Sequence, residues 1–352
     1  MLRVNTNADA EDNIYYNVRL LNDTQRDIIP AVFSENRVVP IIENPSEYEL
    51  AVVRFKVPAE TIPIFRWVDD KYKITLSYGG SDYTESLPWI PKALPSDNKF
   101  LYGRAIWSYQ SFLDSINLAF KTAFDKLKID FPAAPPTEAP YITFDAVSEL
   151  FTIWTEQLYE ESTDTIAIIF NYDLFSVIPS FQVDRLNIPP PSTGVFFDVK
   201  FQRLTVKNNY NNKIVVDGKD YYKFPQEYST LALLNDFTAI SFETDSIPIE
   251  PELLPAQTNV VRRVITDFEP IDGINDHQSF QYFPQGALRY YDLKSSYPMH
   301  KIDIRVYWID RKGEQFPIYI NRDEVLTIKL LFRRKVVGQL KKALREDNDD
   351  MI

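Results

Sequence analysis

YPMHKIDIRVYWIDRKGEQFPIYINRDEVLTIKLLF, residues 297–332, alternates apolar and polar side chains through three successive runs. Ile302, Ile304, Val306 and Trp308 fall on one face and Asp303, Arg305 and Tyr307 on the other, the period of two that marks a strand. Asp310-Arg311-Lys312-Gly313 reads as a tight connection in which Gly313 supplies a positive φ, and Phe316, Ile318 and Ile320 then alternate again. Beyond Asn321-Arg322-Asp323-Glu324, a third run sets Leu326, Ile328, Leu330 and Phe332 opposite Thr327 and Lys329. The simplest reading is a three-stranded antiparallel meander with one apolar face. Such a face needs a second layer over it.

Composition supports the β reading. The chain has 352 residues, 24 Phe and 21 Tyr but only 9 Gly, and its 24 Pro are spread along its length. That mixture suits short strands divided by proline-marked turns. The length allows one large β domain or two smaller ones. Lys and Arg number 38 against 50 Asp and Glu, so the net charge is −12 and the average surface repels nucleic acid and anionic lipid. Cysteine is absent, which removes disulfides, thiolate nucleophiles and Cys-ligated zinc. The polar start of the chain carries no apolar core of signal-peptide length, and no run reaches the ~18 apolar residues of a membrane span. A soluble protein with no membrane span is expected, in which the Asn22-Asp23-Thr24 sequon stays unused.

Outward from the opening stretch, residues 1–12 read as a flexible arm, 13–335 as a β-rich body, and 336–352 as a charged tail. Ile14 to Leu21 begins the ordered part, and Val38 to Ile42 is a second short run. In Glu47 to Val57 the residues Ala51 and Val53 break strict alternation, as in a central strand covered on both sides. Tyr72 to Tyr78, Gly79-Gly80-Ser81-Asp82 and Tyr83 to Trp89 read as strand, turn and strand. One helix stands out as an insertion around 106–128: Phe112, Leu113, Ile116, Phe120, Ala123, Phe124 and Leu127 form one stripe, with Ser108 as its N-cap. Tyr141 to Phe144 and Leu150 to Trp154 suggest a hairpin, and Pro189-Pro190-Pro191 is the best internal boundary.

No catalytic signature emerges, and no cofactor or metal is expected. The chain lacks the Gly-x-x-x-x-Gly-Lys-Ser/Thr and Gly-x-Gly-x-x-Gly phosphate cradles and the Gly-x-Ser-x-Gly elbow. His277 and His300, the only histidines, stand too far apart for a zinc-protease motif and suit a surface or interface. Asp69-Asp70 and Glu160-Glu161 are adjacent carboxylates whose side chains on a strand would point apart, and Asp347-Asn348-Asp349-Asp350 lacks the Gly and the closing Glu of a calcium loop. Between Lys329 and Arg345 lie Arg333, Arg334, Lys335, Lys341, Lys342 and Arg345 with no acid among them. This segment is a candidate interaction tail for nucleic acid or an acidic neighbour, or else a solvated helical tail.

Several stretches carry a resemblance. Phe33-Ser34-Glu35-Asn36-Arg37-Val38-Val39-Pro40-Ile41-Ile42-Glu43-Asn44-Pro45 leads into Tyr48-Glu49-Leu50-Ala51-Val52-Val53-Arg54-Phe55. Further along come Ser108-Tyr109-Gln110-Ser111-Phe112, Ile265-Thr266-Asp267-Phe268-Glu269-Pro270 and Ile304-Arg305-Val306-Tyr307-Trp308-Ile309-Asp310-Arg311-Lys312-Gly313. Together they resemble the minor capsid or penton proteins of small double-stranded DNA viruses of the virophage and Polinton-like kind. The resemblance implies an antiparallel jelly-roll β-sandwich, made in the host cytoplasm or nucleus and carried in the virion. It further implies a homopentamer at capsid vertices, touching the major capsid protein and, through the basic C-terminal segment, the genome. The helix and proline-flanked middle exceed a minimal eight-strand roll and imply a helical insertion or a second β domain. Two other classes suit an aromatic-rich, acid-rich β protein: a carbohydrate-binding or glycoside-hydrolysing β-sandwich, and a phage tail or baseplate component.

Overall fold

The computed structural model describes residues 13–24, 26–90, 104–161, 165–186, 197–201, 213–253, 261–269, 279–284 and 286–335. The arm at 1–12 and the tail at 336–352 therefore lie outside the described residues. The chain forms two compact units, Met1–Ile62 with Phe237–Ile352, and Pro63–Asp236. The second unit is inserted in the first. The boundary expected at Pro189–Pro191 is not where the units divide, and those prolines are themselves outside the described residues.

The first unit contains eight principal strands. In chain order they are β1 (Asn13–Leu21), β2 (Val32–Asn36), β3 (Tyr48–Pro58), β4 (Phe237–Glu243), β5 (Val264–Phe268), β6 (Ser279–Tyr282), β7 (Lys301–Asp310) and β8 (Val325–Arg334). Pairing is antiparallel throughout and produces two sheets, ordered β1-β8-β3-β6 and β2-β7-β4-β5. Two interleaved sheets in these orders are the jelly roll, with the second unit inserted between β3 and β4. The sheets meet through aromatic side chains: Phe55 of β3 lies 4.7 Å from Phe242 of β4 and 5.5 Å from Phe268 of β5, ring centre to ring centre.

The meander expected over residues 297–332 forms only in part. β7 turns back through Gln315–Pro317 as a hairpin, with Gly313 at φ 77° and Asp310 accepting from the Lys312 and Glu314 amides at 2.8 Å each. Pro317 has no N–H to extend that ladder. The next strand, Tyr319–Asn321, pairs instead with Ile28–Pro30, and β8 joins the opposite sheet between β1 and β3. Alternation correctly places Leu326, Ile328, Leu330 and Phe332 in the core, each at most 2% exposed. It carries no information on which sheet they complete.

In β3 the broken alternation has two causes: Ala51, on the side away from the core, is fully buried as expected of a covered central strand, and the pairing is irregular. A bulge shifts its register with β8 between Lys329 and Leu330, so that Lys329 pairs with Arg54 and Leu330 with Val52. The strand is central in its pairing, yet Arg54 and Lys56 face solvent rather than a second layer. Val38 to Ile42 is not a strand; only Ile42 bridges, to Met299. The Asn22 sequon is closed off. Its side chain is fully buried, and Nδ2 donates to the carbonyls of Arg26 (3.2 Å) and Ile320 (3.1 Å).

The inserted unit packs the 22-residue helix Tyr109–Asp130 among antiparallel strands. Ser108 caps it as expected, accepting from the Ser111 amide at 3.2 Å. Phe112, Ile116, Phe120, Ala123 and Leu127 are fully enclosed, and Phe120 meets Phe170 at 6.0 Å. Strands Lys73–Tyr78 and Ser81–Ser86 form a hairpin closed by Gly79 and Gly80, both at positive φ. Tyr141–Asp145 pairs with Leu150–Glu156, which continues to Lys219–Pro225, a strand the sequence reading missed. Its signal was the Asp217-Gly218 turn, where both residues have positive φ. Asn117 of the helix seals the free edge of this sheet: its Oδ1 accepts from the Ile142 amide at 2.7 Å and its Nδ2 donates to the Ile142 carbonyl at 3.1 Å.

Candidate assembly surfaces

The candidate interaction tail begins on β8, not beyond the body. Arg333 lies opposite Glu49 in register and donates to Oε1 from Nε (2.8 Å) and Nη2 (2.5 Å). Its guanidinium also sits 3.6 Å from the centre of the Tyr290 ring. Arg334 donates to Glu47 at 2.7 Å, and Lys335 lies 3.3 Å from Asp292. The bond from Arg334, helped by one from Asn44, holds the Glu47 carboxyl below its ordinary pKa. These three cations are matched by acids of the same unit and fasten the end of β8 to the start of β3. Lys341, Lys342 and Arg345 lie outside the described residues.

A second surface is apolar. After β2, the Arg37 amide donates to the His300 carbonyl (2.9 Å) and the Ile41 amide to that of Met299 (2.7 Å), so residues 38–40 loop out of the ladder. Val38 and Val39 are 97% and 71% exposed, and Tyr297 is 81% exposed. Beside them Glu35 accepts from the Tyr16 hydroxyl and from Arg37 Nε, the latter at 2.7 Å. Burial, reinforced by Glu35, pushes the Tyr16 hydroxyl up to about 12. The bond from Tyr16, with that from Arg37, holds the Glu35 carboxyl below its ordinary value. Sequence alternation concealed this loop, because Val38-Val39 looks like strand until Pro40 is given weight.

Asp69 pairs with Arg104, and the side chains of Glu160 and Glu161 lie outside the description. The fold does bring two other carboxylates together in the inserted unit, Glu138 and Glu156, both beside Lys219. Glu156 accepts from the Thr137 amide at 2.6 Å, and Glu138 from the Tyr221 hydroxyl at 2.5 Å and from Lys219. The Lys219 and Tyr221 bonds hold Glu138 below its ordinary pKa, the wrong direction for a general acid at neutral pH. An adjoining cavity of about 310 Å³ is lined by Glu156 and Lys219 together with Leu158 and Gln157. Of the histidines, His300 Nδ1 lies 3.2 Å from the Arg37 carbonyl, and His277 is outside the described residues. Among the described residues no group of three or more His, Asp or Glu is placed to hold a metal ion, and no helix is long and apolar enough to cross a membrane.

A complete eight-strand jelly roll is the architecture of viral capsid subunits, and of lectin domains as well. Comparison with known proteins points to the first. The chain belongs to the Sputnik minor capsid protein V18/19 family, whose model matches residues 14–334. It is 28% identical to structural protein V19 of Sputnik virophage over 210 residues, 56% of this chain and 94% of that one. It is 26% identical to protein V18 of the same virophage over 153 residues, 36% of this chain and 90% of that one. A chain of the Sputnik virophage particle solved by cryo-EM superposes with a TM-score of 0.74 at 26% identity, covering 93% of this chain and 99% of that one. The mavirus penton protein shares the fold with a TM-score of 0.67 at 17% identity, covering 91% and 99%. This protein is thus a structural component of a virion capsid.

Proposed function

We propose that the chain is the vertex subunit of its capsid, a homopentamer that meets the major capsid protein and performs no catalysis. The observation that carries this reading is the complete eight-strand topology with a unit inserted between β3 and β4, a fold shared over nearly the whole chain with a penton protein. The exposed loop of Val38 and Val39, braced by the Tyr16–Glu35–Arg37 trio, supplies the apolar contact such a ring needs. Arg333, Arg334 and Lys335 serve this function as fasteners within the subunit, so any genome contact by the C-terminal segment falls to Lys341, Lys342 and Arg345.

Native mass spectrometry and negative-stain imaging of the purified chain, alone and with its coat protein, test the proposal. A closed fivefold ring is the expected result. Monomers under both conditions, or rings of three or six, would overturn it.

A further inference from the structure

The strands of the β1-β8-β3-β6 sheet carry a lopsided charge pattern. Across all four, the only acid is Glu49, which Arg333 already holds. With Arg334 paired to Glu47 just before β3, four cations remain: Arg19 on β1, Lys329 on β8, and Arg54 and Lys56 on β3. None of them makes an ion pair with a described residue. Register puts them on one side of the sheet, because Arg19 and Lys56 flank Thr327 and Lys329 faces Arg54. The opposite side of the same strands is core, formed by Val18, Ile328, Leu330, Phe55 and Val57. With ~4.8 Å between strands and ~7 Å between alternate residues, the four charges stand roughly 5–12 Å apart, each within about one Debye length (~8 Å at physiological salt) of its nearest neighbour. On a chain of net charge −12, they form a concentrated positive field on an outward surface.

Among the described acids, Glu49 and Asp292 at one end are matched by Arg333 and Lys335. At the other end Glu60 keeps its charge, since Asn321 gives it only a neutral hydrogen bond, but it stands past the end of β3. A second copy has little to offer through its other sheet, whose surroundings set Glu243, Asp245 and Asp267 against Lys301, Arg262, Arg263 and Arg305. The middle of the face is Lys56, Lys329 and Arg54 around Thr327, whereas the centres of protein–protein interfaces are poor in lysine. Two exposed rings lie at its margin, Tyr15 (53%) and Phe283 (60%), with Lys329 Nζ 4.6 Å from the centre of the Tyr15 ring. Cations with no acid among them, polar neighbours and flanking aromatic rings match the phosphates and bases of a nucleic acid.

We propose that this outward sheet face is a nucleic-acid docking surface, in which Arg19, Arg54, Lys56 and Lys329 take the phosphate backbone. The contact belongs to the ordered jelly roll and is separate from the C-terminal tail. It does not depend on the pentamer.

Fluorescence anisotropy of labelled 20-nucleotide single-stranded and 20-base-pair DNA, titrated with the full chain across a salt series, tests it. Four phosphate contacts give a slope of log K against log salt of about −3.6 for the duplex and about −2.8 for the single strand. The double variant Arg54→Gln, Lys56→Gln alters two exposed side chains and should lessen the duplex slope by about 1.8. Carried from 1 M to 0.1 M salt, that is roughly a 60-fold loss of affinity. Arg334→Gln removes a cation already paired and should leave both slope and affinity unchanged, with circular dichroism confirming that each variant is folded. Absence of binding at low salt, or equal loss from Arg334→Gln, overturns the proposal. So does competition by poly-L-glutamate charge for charge, which would assign the face to an acidic protein instead.

Discussion

Removal of the Asp303 carboxylate should be among the most damaging single changes to the jelly roll. By alternation Asp303 belongs to the outward side of β7, yet it is only 4% exposed, because the loop after β4 folds over it. Its carboxylate accepts from Thr244 Oγ1 at 3.1 Å, from the Asp245 amide at 3.1 Å and from the Ser246 amide at 2.6 Å. The Asp303 amide in turn donates to Ser246 Oγ at 2.9 Å. A hydrogen bond to a charged acceptor contributes about 1.5–3 kcal/mol, and three that share one group fall short of additive, so Asp303→Ala should cost about 3–5 kcal/mol. With m of about 2.5 kcal/mol/M, the urea midpoint followed by circular dichroism falls by roughly 1–2 M. Asp303→Asn keeps one acceptor oxygen and should lose about half as much.

The same carboxylate predicts a pH dependence. Burial pushes its pKa up, but the bonds from Ser246, Asp245 and Thr244 outweigh burial and leave it below the ordinary value. A depressed folded pKa stabilises fully above the unfolded value of about 3.9, and that stabilisation is lost as pH falls through the folded value. The gap between wild type and Asp303→Asn should therefore be constant at neutral pH and close in acid. An Asp303→Ala midpoint within about 0.4 M of wild type, roughly 1 kcal/mol, would refute the clamp.

Asn117→Ala leaves the Ile142 amide and carbonyl unpaired at the sheet edge; a loss of about 2 kcal/mol and faster hydrogen exchange at Ile142 are expected, and protection equal to wild type would count against it. Arg333→Ala should cost about 2 kcal/mol in urea unfolding, because its side chain and that of Glu49 are 23% and 17% exposed. Arg334→Ala, with both partners over 40% exposed, should leave the midpoint where it is. Gly79→Ala should lower thermal stability more than Gly80→Ala. Both positions have positive φ, at about 1–2 kcal/mol for an L side chain. Only a Cβ on Gly79 meets a neighbour, Phe131 at 3.1 Å, so equal shifts would contradict the packing.

Much of the local structure was legible from residue order. Steps of three and four in Phe112, Ile116, Phe120 and Leu127 identified a helix, and Ser108 its start. Gly313 marked the β7 hairpin, and Gly79-Gly80 a two-residue turn. What failed did so for one physical reason. The period of a strand reports which face is buried and is silent on which strand lies beside it, so the run ending at Phe332 was assigned to the wrong sheet. The bulge at Lys329 and Leu330 has no period of its own, so alternation could not separate the end of β3 covered on both faces, at Ala51, from the end open to solvent, at Arg54 and Lys56.

The contact surfaces divide along the same line. A run of bases without acids is visible in residue order, and it directed attention to Arg333, Arg334 and Lys335, whose charges are matched from strands far away in the chain. Arg19, Arg54, Lys56 and Lys329 are scattered among apolar neighbours, and only pairing across β1, β8 and β3 makes them one surface. Sequence alone determined the β class, the helix and the absence of familiar catalytic motifs, because these depend on local periodicity and residue type. Tertiary structure decided the jelly-roll order, the insertion of the second unit and which charges stay free, because each depends on partners hundreds of residues apart.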